Sequence, residues 1–296
     1  MTASTVLVVG ATGTIGSAVL RDLRRRGVAT RAFVRDRARA RAVLGDDVEL
    51  ATGDLADPSS VRAALRGVQR VLLCTPNDPE QVRREVTVID AAAAAGVGLV
   101  VKIGAIGAGA DSPLAFWVAH ARIEQHLRSS GLPAVVLHPS MYMTNLLAAA
   151  ETIGQTGRLF APAGDARISL IDPRDVAATA AVVLTEDGHA GRAYTLTGPE
   201  ALTYQDVAAQ IASATGRPVE YVEVPDAAAR AAMAAAATPD WFADQLIILW
   251  GRLRQGAGAT TTDTVRVLTG QEPRRVAEFV RDRAHLFGSA VAAGNR

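Results

Sequence analysis

The sequence predicts an α/β fold in which a doubly wound parallel sheet is followed by a smaller, mostly helical part. The first half alternates short β-branched or apolar runs with longer helical stretches, whereas helical segments dominate after about residue 145. The short runs are apolar throughout, which is typical of parallel strands covered by helices on both faces. Right-handed crossovers between such strands produce a doubly wound sheet.

The predicted elements of the first half form successive strand–helix pairs. We expect strands at 5–9, 30–34, 48–52, 70–74, 99–103 and 134–137. We expect helices at 14–26, 58–66, 79–95 and 114–129, with Gly27 closing the first and Asp57 capping the second.

The second half has fewer strands and more helical segments. Short strands are expected at 168–171, 193–197 and 219–224, helices at 226–237 and 241–254, and an exposed loop at 256–263. We therefore divide the chain into a sheet domain at 1–150 and a mainly helical part at 151–296. Segments within about 168–198 are expected to return to the sheet.

The composition excludes several classes of protein. The chain has 296 residues, and its 31 basic and 30 acidic residues leave a net charge of +1, so no basic excess indicates nucleic-acid binding. Cys74 is the single cysteine, which excludes a disulfide scaffold, and we interpret it as a small buried apolar residue. No apolar run reaches the roughly 18 residues that span a bilayer, and the N-terminus lacks a signal-peptide pattern. We expect a cytoplasmic monomer or homodimer that binds small molecules rather than nucleic acid or membrane.

The strongest local signal is the segment GATGTIG at residues 10–16, which follows the first predicted strand and opens the first predicted helix. In this context Gly10 permits a tight turn, Gly13 lets the backbone approach a pyrophosphate, and Gly16 lets the helix pack against the sheet. The N–H groups of the helix N-terminus then face the anion. An ordinary strand–helix turn is the alternative. The domain at 1–150 is predicted to bind a dinucleotide through this segment, with contacts from Gly10, Thr12, Gly13, Thr14, Ile15 and Gly16.

The residue that ends the second strand distinguishes between the two nicotinamide dinucleotides. An acidic residue there would bind the ribose hydroxyl of NAD, whereas Arg35 can pair with the 2′-phosphate of NADP. Arg37 and Arg39 follow closely, and a solvated basic turn is the alternative interpretation. We expect NADP(H) to be preferred and NAD(H) to be possible. Further cofactor contacts are predicted after the third and fourth strands, with Asp54 and Leu55 at the adenine and Thr75 and Pro76 at the pyrophosphate and ribose.

Several segments together resemble one protein family over nearly the whole chain. They are GATGTIG (10–16), FVRD (33–36), GDL (53–55), VVKIGAIGA (100–108), the stretch 112–147 and the tail LTGQEPRRVAEFVRD (268–282). This combination is similar to the NmrA-like group of atypical short-chain dehydrogenases/reductases. The resemblance implies a Rossmann fold that binds NADP(H) or NAD(H). The family includes quinone and azo reductases, enzymes of secondary metabolism, and regulators that sense the cofactor without turnover.

The chain departs from the wider superfamily at its catalytic positions. The serine expected at the end of the fifth strand is Gly104, the tyrosine position holds Phe116, and the lysine position holds His120. No Tyr-x-x-x-Lys pair occurs, because Lys102 is the single lysine and Gly98 precedes it by four residues. A histidine at this helical position also occurs in quinone-reductase-like relatives, so the resemblance implies that His120 lies near the nicotinamide.

Three titratable residues of this region have open interpretations. His120 is expected either to hold the nicotinamide ribose or to relay a proton near neutral pH, and a buried structural histidine is the alternative. Glu124, one helical turn further on, is expected either to orient His120 or to be exposed. We interpret Lys102 as a packing residue or a contact at the strand end, not as a nucleophile.

Residues after the fifth and sixth strands are predicted to surround the nicotinamide and the substrate. Gly104, Pro139 and Ser140 are expected to line the nicotinamide. Tyr142 is expected to donate to a substrate oxygen or to form an aromatic wall, and Phe116 and Asn145 complete the predicted substrate contacts. No metal site is expected, because the candidate ligands match no metal-binding spacing: His126, His138 and Asp111.

These observations predict an NADP(H)-dependent oxidoreductase that transfers hydride to a small conjugated or aromatic carbonyl or quinone, with secondary metabolism as one setting. Residues 151–296 would bind the substrate. A non-catalytic NADP(H)-sensing regulator is one alternative, since the serine–tyrosine–lysine set is lost. An enzyme that uses the fold for non-redox chemistry, such as cyclisation or dehydration, is the other. Its sign would be product formation without a change in nicotinamide absorbance.

Overall fold

A computed structural model describes residues 5–288; residues 1–4 and 289–296, at the ends of the two predicted domains, lie outside the described part. In chain order the elements are β1 (Thr5–Val9), α1 (Thr14–Arg25), β2 (Thr30–Val34), α2 (Arg37–Leu44), β3 (Glu49–Thr52), α3 (Pro58–Ala64), β4 (Val68–Leu73), α4 (Gln81–Ala94), β5 (Leu99–Ile103), α5 (Ala115–Ser129), β6 (Ala134–Pro139), β7 (Met141–Tyr142), a 3₁₀ helix (Met143–Ala149), α6 (Ala150–Thr156), β8 (Arg158–Ala161), β9 (Ile168–Ile171), α7 (Pro173–Thr185), β10 (Ala193–Leu196), β11 (Ala201–Leu202), α8 (Tyr204–Thr215), β12 (Glu220–Glu223), α9 (Asp226–Ala235), α10 (Asp240–Arg254), α11 (Thr264–Thr269), α12 (Val276–Arg281) and α13 (Ala284–Gly288).

The main sheet has seven strands in the order β10-β6-β5-β4-β1-β2-β3. Every neighbouring pair is parallel. The predicted α/β class with a doubly wound parallel sheet is therefore confirmed. The direction of strand addition reverses between β1 and β4, and sheets of this type bind ligands outside the carboxyl ends of the strands at such a switch point.

The chain forms two compact units. The first comprises the residues up to Pro139, Pro173–Leu196 and Val267–Gly270, and the second comprises Ser140–Asp172, Thr197–Arg266 and the residues from Gln271 onward. The first unit contains the seven-stranded sheet. The second contains a three-stranded sheet, β11-β9-β7, and the parallel pair β12-β8. The binding roles expected for 1–150 and 151–296 stay predictions.

Each unit has its own apolar core. In the first unit, strand residues such as Leu7, Val71 and Val100 pack with Ile89 of α4 and Ile123 of α5. Fully burying one such side chain contributes roughly 1.5–3 kcal/mol. In the second unit, the core is built mainly from helices, with Ile153, Val207 and Phe279 among its fully buried members. No helix within residues 5–288 is long and apolar enough to cross a membrane.

The helix α2 is the one element before β7 that the sequence does not predict, and in the second half no range is predicted for α7 or α8. Arg37 and Arg39 lie in its first turn rather than in a solvated basic turn, and the Asp36 carboxylate caps it by accepting from the Ala38 and Arg39 N–H groups at 2.8 and 3.1 Å. The predicted cap of α3 is confirmed, because the Asp57 carboxylate accepts from two backbone N–H groups of that helix. The other predicted elements differ from the observed ones by one or two residues at their ends.

Candidate functional site

The loop after β1 is a tight glycine turn against the end of β4. Gly10 has a φ of 76°, which residues with a side chain rarely adopt. A Cβ atom on Gly10 would lie 1.9 Å from the carbonyl oxygen of Cys74, and a Cβ atom on Gly16 would lie 2.2 Å from the carbonyl oxygen of Gly10. Only glycine fits at both positions, so the turn approaches both Cys74 and α1 at backbone contact distance.

The helix α1 begins at this turn without a side-chain cap. Its N-cap is Gly13, and no acidic residue lies in its first turn. The Gly13 N–H donates to the Gly10 carbonyl at 2.9 Å, which closes the loop. The first N–H groups of a helix have no intrahelical acceptor, and together with the helix dipole they favour a bound anion. Of the other predicted cofactor residues here, Thr12 is half-buried, Thr14 is exposed and Ile15 is buried.

Three arginines closely follow the end of β2, and two of them have no partner in the part of the chain that the structure describes. Arg35 and Arg39 are exposed, and neither guanidinium has an ion pair or hydrogen bond within residues 5–288. Arg37 instead points back to β3, where its Nη1 lies 3.2 Å from Thr52 Oγ1. The carboxylate of Asp36 is already bonded to the N-terminus of α2. This strand end therefore offers two free cations, and its acidic group is occupied.

The loops after β3 and β4 hold the remaining predicted cofactor residues of this unit. The Asp54 carboxylate accepts from the Ala56 N–H at 2.8 Å, and Leu55 is half-buried beside it. Pro76 is exposed. The Thr75 hydroxyl donates to Glu85 Oε1 at 2.5 Å, so it is already hydrogen-bonded within the protein.

A buried polar cluster connects α4, β5 and α5. Lys102 and Glu85 are both fully buried, with the Lys102 Nζ 2.9 Å from Glu85 Oε2. The ammonium also donates to the Ile103 carbonyl at 2.5 Å and lies 3.2 Å from His120 Nδ1. Its three donors thus meet three acceptors. Of the two interpretations of Lys102, the contact at the strand end is confirmed, because Ile103 is the last residue of β5. The ion pair with Glu85 adds the partner that a buried ammonium needs.

His120 is neutral in this cluster. Burial, and after it the charges on Lys102 and His138, lower the pKa of His120 from 6.5 to about 2. An ammonium can only donate, so Nδ1 accepts from Lys102 and the ring proton is on Nε2, which lies 3.1 Å from Asn77 Oδ1. The predicted proton relay through His120 stays a prediction. The predicted contact with the nicotinamide ribose stays a prediction.

Glu124 holds a different histidine from the one expected. Its Oε1 lies 3.0 Å from His138 Nε2, and only 7% of Glu124 is exposed. Both expectations for Glu124, an orienting contact with His120 and an exposed carboxylate, are wrong. A Cβ atom on Gly104 would lie 2.7 Å from Glu124 Oε1 and 2.9 Å from His138 Cδ2. Gly104, where the resemblance leads us to expect the superfamily's serine, therefore has no room for a side chain beside this pair.

The other predicted contacts lie in both units. In the first unit, Phe116 is buried on α5 with its ring edge-to-face against Trp117, and Pro139 is buried at the end of β6. In the second unit, Ser140 is buried, Tyr142 is half-buried in β7, and Asn145 is exposed in the 3₁₀ helix. Three members of the cluster are not among the site residues expected from the sequence: Asn77, Glu85 and Lys102.

The unfolding free energy should fall more steeply below pH 6.5 in the wild type than in the His120→Gln variant. Unfolded His120 takes up a proton near pH 6.5, whereas the folded ring stays neutral down to about pH 2. The unfolded state then binds one more proton, so stability decreases by about 1.4 kcal/mol for each pH unit of acidification. Urea unfolding from pH 4 to 8 measures the slopes. Equal slopes for wild type and His120→Gln would contradict the neutral state.

The glycine turn, the uncapped helix and the strand order together define a dinucleotide-binding protein of the Rossmann class. The chain belongs to the NmrA-like family, whose model matches residues 2–248. It is 40% identical to the NAD(P)H azoreductase of Xenophilus azovorans over 96% of this chain and 100% of that protein. It is 38% identical to the (4-alkanoyl-5-oxo-2,5-dihydrofuran-3-yl)methyl phosphate reductase of Streptomyces griseus over 95% of this chain and 99% of that protein. The crystal structure of an NADPH-dependent quinone oxidoreductase from Escherichia coli, complexed with NADPH, matches with a TM-score of 0.86 and 30% identity over 95% and 99% of the two chains.

Proposed function

We propose that this protein is an NADPH-dependent reductase of quinones and related conjugated electrophiles. The relatives named above support this proposal, since their names describe reduction of azo, quinone and unsaturated furanone compounds. The observation that carries it lies on α5. The resemblance implies that Phe116 and His120 stand at the positions of the superfamily's tyrosine and lysine, and here Phe116 is buried and His120 is neutral. Neither side chain is a strong proton donor.

The residues of the first unit fit NADP on their own geometry. A side chain at Gly10 or Gly16 would overlap the backbone, so both positions require glycine. Because the turn carries no side chain at these positions, a pyrophosphate can approach the N-terminus of α1 closely. Arg35 and Arg39, which have no partner among the described residues, are cations suited to the 2′-phosphate, and the carboxylate of Asp36 is occupied. When bound, the nicotinamide would supply a hydride.

Without a strong proton donor at Phe116 or His120, the site favours substrates that form a stabilised anion after hydride transfer. Hydride reduction of a plain ketone yields an alkoxide, whose basicity is close to that of hydroxide, with a conjugate-acid pKa of about 15.7. Reduction of a quinone yields a phenol-like anion, with a pKa near 10. The gap of roughly six units corresponds to about 8 kcal/mol. In the balanced reaction the quinone gains the hydride and one proton to become the hydroquinone while NADPH becomes NADP⁺, and water suffices as the proton source.

The purified protein should oxidise NADPH much faster with 1,4-naphthoquinone than with 2-decalone, an unconjugated ketone on the same carbon skeleton. If only a third of the 8 kcal/mol gap appears in the activation free energy, kcat/KM for the quinone exceeds that for the ketone by a factor of about 100. The rate of the uncatalysed reaction between NADPH and each substrate is subtracted. Comparable rates for the ketone would contradict the proposal, because they require a positioned acid. NADPH binding without oxidation by any quinone would favour the cofactor-sensing regulator instead.

Arg35→Ala is expected to lower the affinity for NADPH by about ten- to a hundredfold and to leave the affinity for NADH nearly unchanged. A hydrogen bond to a charged group contributes about 1.5–3 kcal/mol, and only NADPH has the 2′-phosphate. Titration calorimetry with both cofactors measures the two affinities. Arg37→Ala is the matched control, because the Arg37 guanidinium is held against β3. An equal loss of both cofactors on Arg35→Ala would show that Arg35 does not select the phosphate.

A further inference from the structure

The buried cluster has fixed donor and acceptor roles, with donation toward His120 beginning at Lys102. A carboxylate only accepts, and Glu85 Oε1 accepts from the Thr75 hydroxyl at 2.5 Å and from the Gln81 amide at 3.2 Å. The ammonium of Lys102 only donates, and it lies between Glu85 and His120. Neither the Glu85 carboxylate nor the Lys102 ammonium can exchange the roles of donor and acceptor.

The chain of hydrogen-bond donation continues from His120 to Asn77, in the loop after β4. Because His120 Nδ1 accepts from Lys102, the neutral ring must donate from Nε2, and the group 3.1 Å away must be the oxygen of the Asn77 amide. The network thus settles the orientation of the amide, whose oxygen and nitrogen are otherwise hard to distinguish. The amide nitrogen of Asn77 is turned away from His120. Asn77 is exposed, and this nitrogen has no acceptor within residues 5–288.

We propose that Asn77 is a binding residue whose amide N–H group donates a hydrogen bond to an oxygen of the bound cofactor or substrate. Glu85, Lys102 and His120 are then positioning residues, because they prevent the amide from turning its oxygen outward. This inference rests on the proposed function only for the identity of the ligand. Its location follows from the fold, since β4 borders the switch point of the sheet.

The ligand group must be an acceptor oxygen, such as a carboxamide, hydroxyl or quinone oxygen. Such oxygens occur in the cofactor and in the proposed substrates alike. The structure also accounts for the use of an amide at this position. A serine hydroxyl can either donate or accept, whereas an amide held by its oxygen can only donate outward.

The test compares Asn77→Asp with Asn77→Ala. Aspartate keeps the acceptor for His120 Nε2–H and loses only the outward donor. If Asn77 binds the ligand, affinity should fall about three- to tenfold for alanine and further for aspartate, because a carboxylate also repels an acceptor oxygen. If Asn77 serves only to accept from His120, aspartate should match the wild type and alanine should be the weaker variant. An Asn77→Asp variant that binds as well as the wild type, with Asn77→Ala weaker, would overturn the proposal.

Two readouts distinguish the source of the oxygen. A change in the NADPH dissociation constant, measured by fluorescence titration without substrate, assigns the contact to the cofactor. An unchanged NADPH affinity with a raised KM for 1,4-naphthoquinone assigns it to the substrate. The titration does not need turnover, so it stays informative if the protein reduces no quinone. Pro79→Asp places the same charge on an exposed residue of the same loop, and it should leave both values near the wild type. If Pro79→Asp weakens both as much as Asn77→Asp, charge alone explains the loss and the proposal is overturned.

The positioning role has a separate test in one paired variant. Glu85→Leu with Lys102→Met removes the ion pair and the donor to His120 Nδ1. ¹⁵N NMR of the imidazole should detect the Nε2–H tautomer of His120 in the wild type and a mixture of tautomers in the paired variant. The paired variant should also show the ligand-affinity loss of Asn77→Ala. An Nδ1–H tautomer in the wild type would overturn the inference, as would a paired variant that keeps both the wild-type tautomer and the wild-type affinity.

Discussion

Replacing Lys102 with methionine should lower the unfolding free energy by about 3–5 kcal/mol, which is the usual effect of leaving one member of a buried ion pair without its partner. Lys102 and Glu85 are both fully buried and lie 2.9 Å apart. Methionine fills a similar volume, so the loss comes from the uncompensated Glu85 carboxylate and not from a cavity. Urea unfolding at pH 7 measures the difference.

Two comparisons isolate the electrostatic origin of this loss. Adding Glu85→Leu to Lys102→Met should recover most of the stability, because a well-packed apolar pair can replace a buried ion pair at little cost. Arg83→Met breaks an ion pair of similar length, 2.6 Å to Glu80, whose side chains are 57% and 49% exposed. That change should alter stability by less than about 1 kcal/mol. Equal losses for Lys102→Met and the double variant would attribute the effect to packing.

Gly10→Ala should both destabilise the protein and abolish tight NADPH binding. The left-handed backbone at φ 76° costs an L-residue about 1–2 kcal/mol, and the new methyl group would lie 1.9 Å from the Cys74 carbonyl oxygen. Relieving such an overlap costs about 1–3 kcal/mol more and moves the turn that leads to α1. We expect NADPH affinity to fall by at least about tenfold, measured by fluorescence titration, and the midpoint of urea unfolding to decrease.

Gly27→Ala provides the matched control for the turn. Gly27 has a similar φ of 73°, but a Cβ atom there would meet nothing within 4 Å. Its variant should lose only the backbone contribution of about 1–2 kcal/mol and keep the affinity for NADPH. If the two variants lost stability equally and both kept cofactor affinity, the contact between Gly10 and Cys74 would have no role in the site.

The sequence predicts the elements that depend on local pattern. The apolar runs of β1, β2 and β5 are found with the expected ends, and the glycine pattern at 10–16 identifies the turn before α1. The helix α2 is not predicted, because its arginines resemble a solvated turn. Its signal is nevertheless local, since Asp36 caps its start and Gly45 follows its end.

The buried cluster cannot be predicted in the same way, because Glu85, Lys102 and His120 come from three elements far apart in the sequence. Two members of the cluster can nevertheless be noticed in the sequence, because each is a charged residue within an apolar pattern. Lys102 interrupts the apolar strand LVVKI, and Glu85 shares the buried face of α4 with Val88 and Ile89. A charge on a buried face needs a partner. The sequence thus indicates that each charge is paired, but only the fold identifies them as each other's partners and adds His120 and Asn77.

The division of the chain has a consequence for how such proteins can be altered. Three segments of one unit alternate with three of the other along the chain, so the backbone passes between them five times. A single protease cut or gene break at any of these passages leaves residues of both units on at least one fragment. A chimaera that exchanges the second unit for that of a relative must transplant several stretches together. Diversification by swapping whole modules is therefore difficult in this architecture, and point substitution is the more accessible evolutionary route.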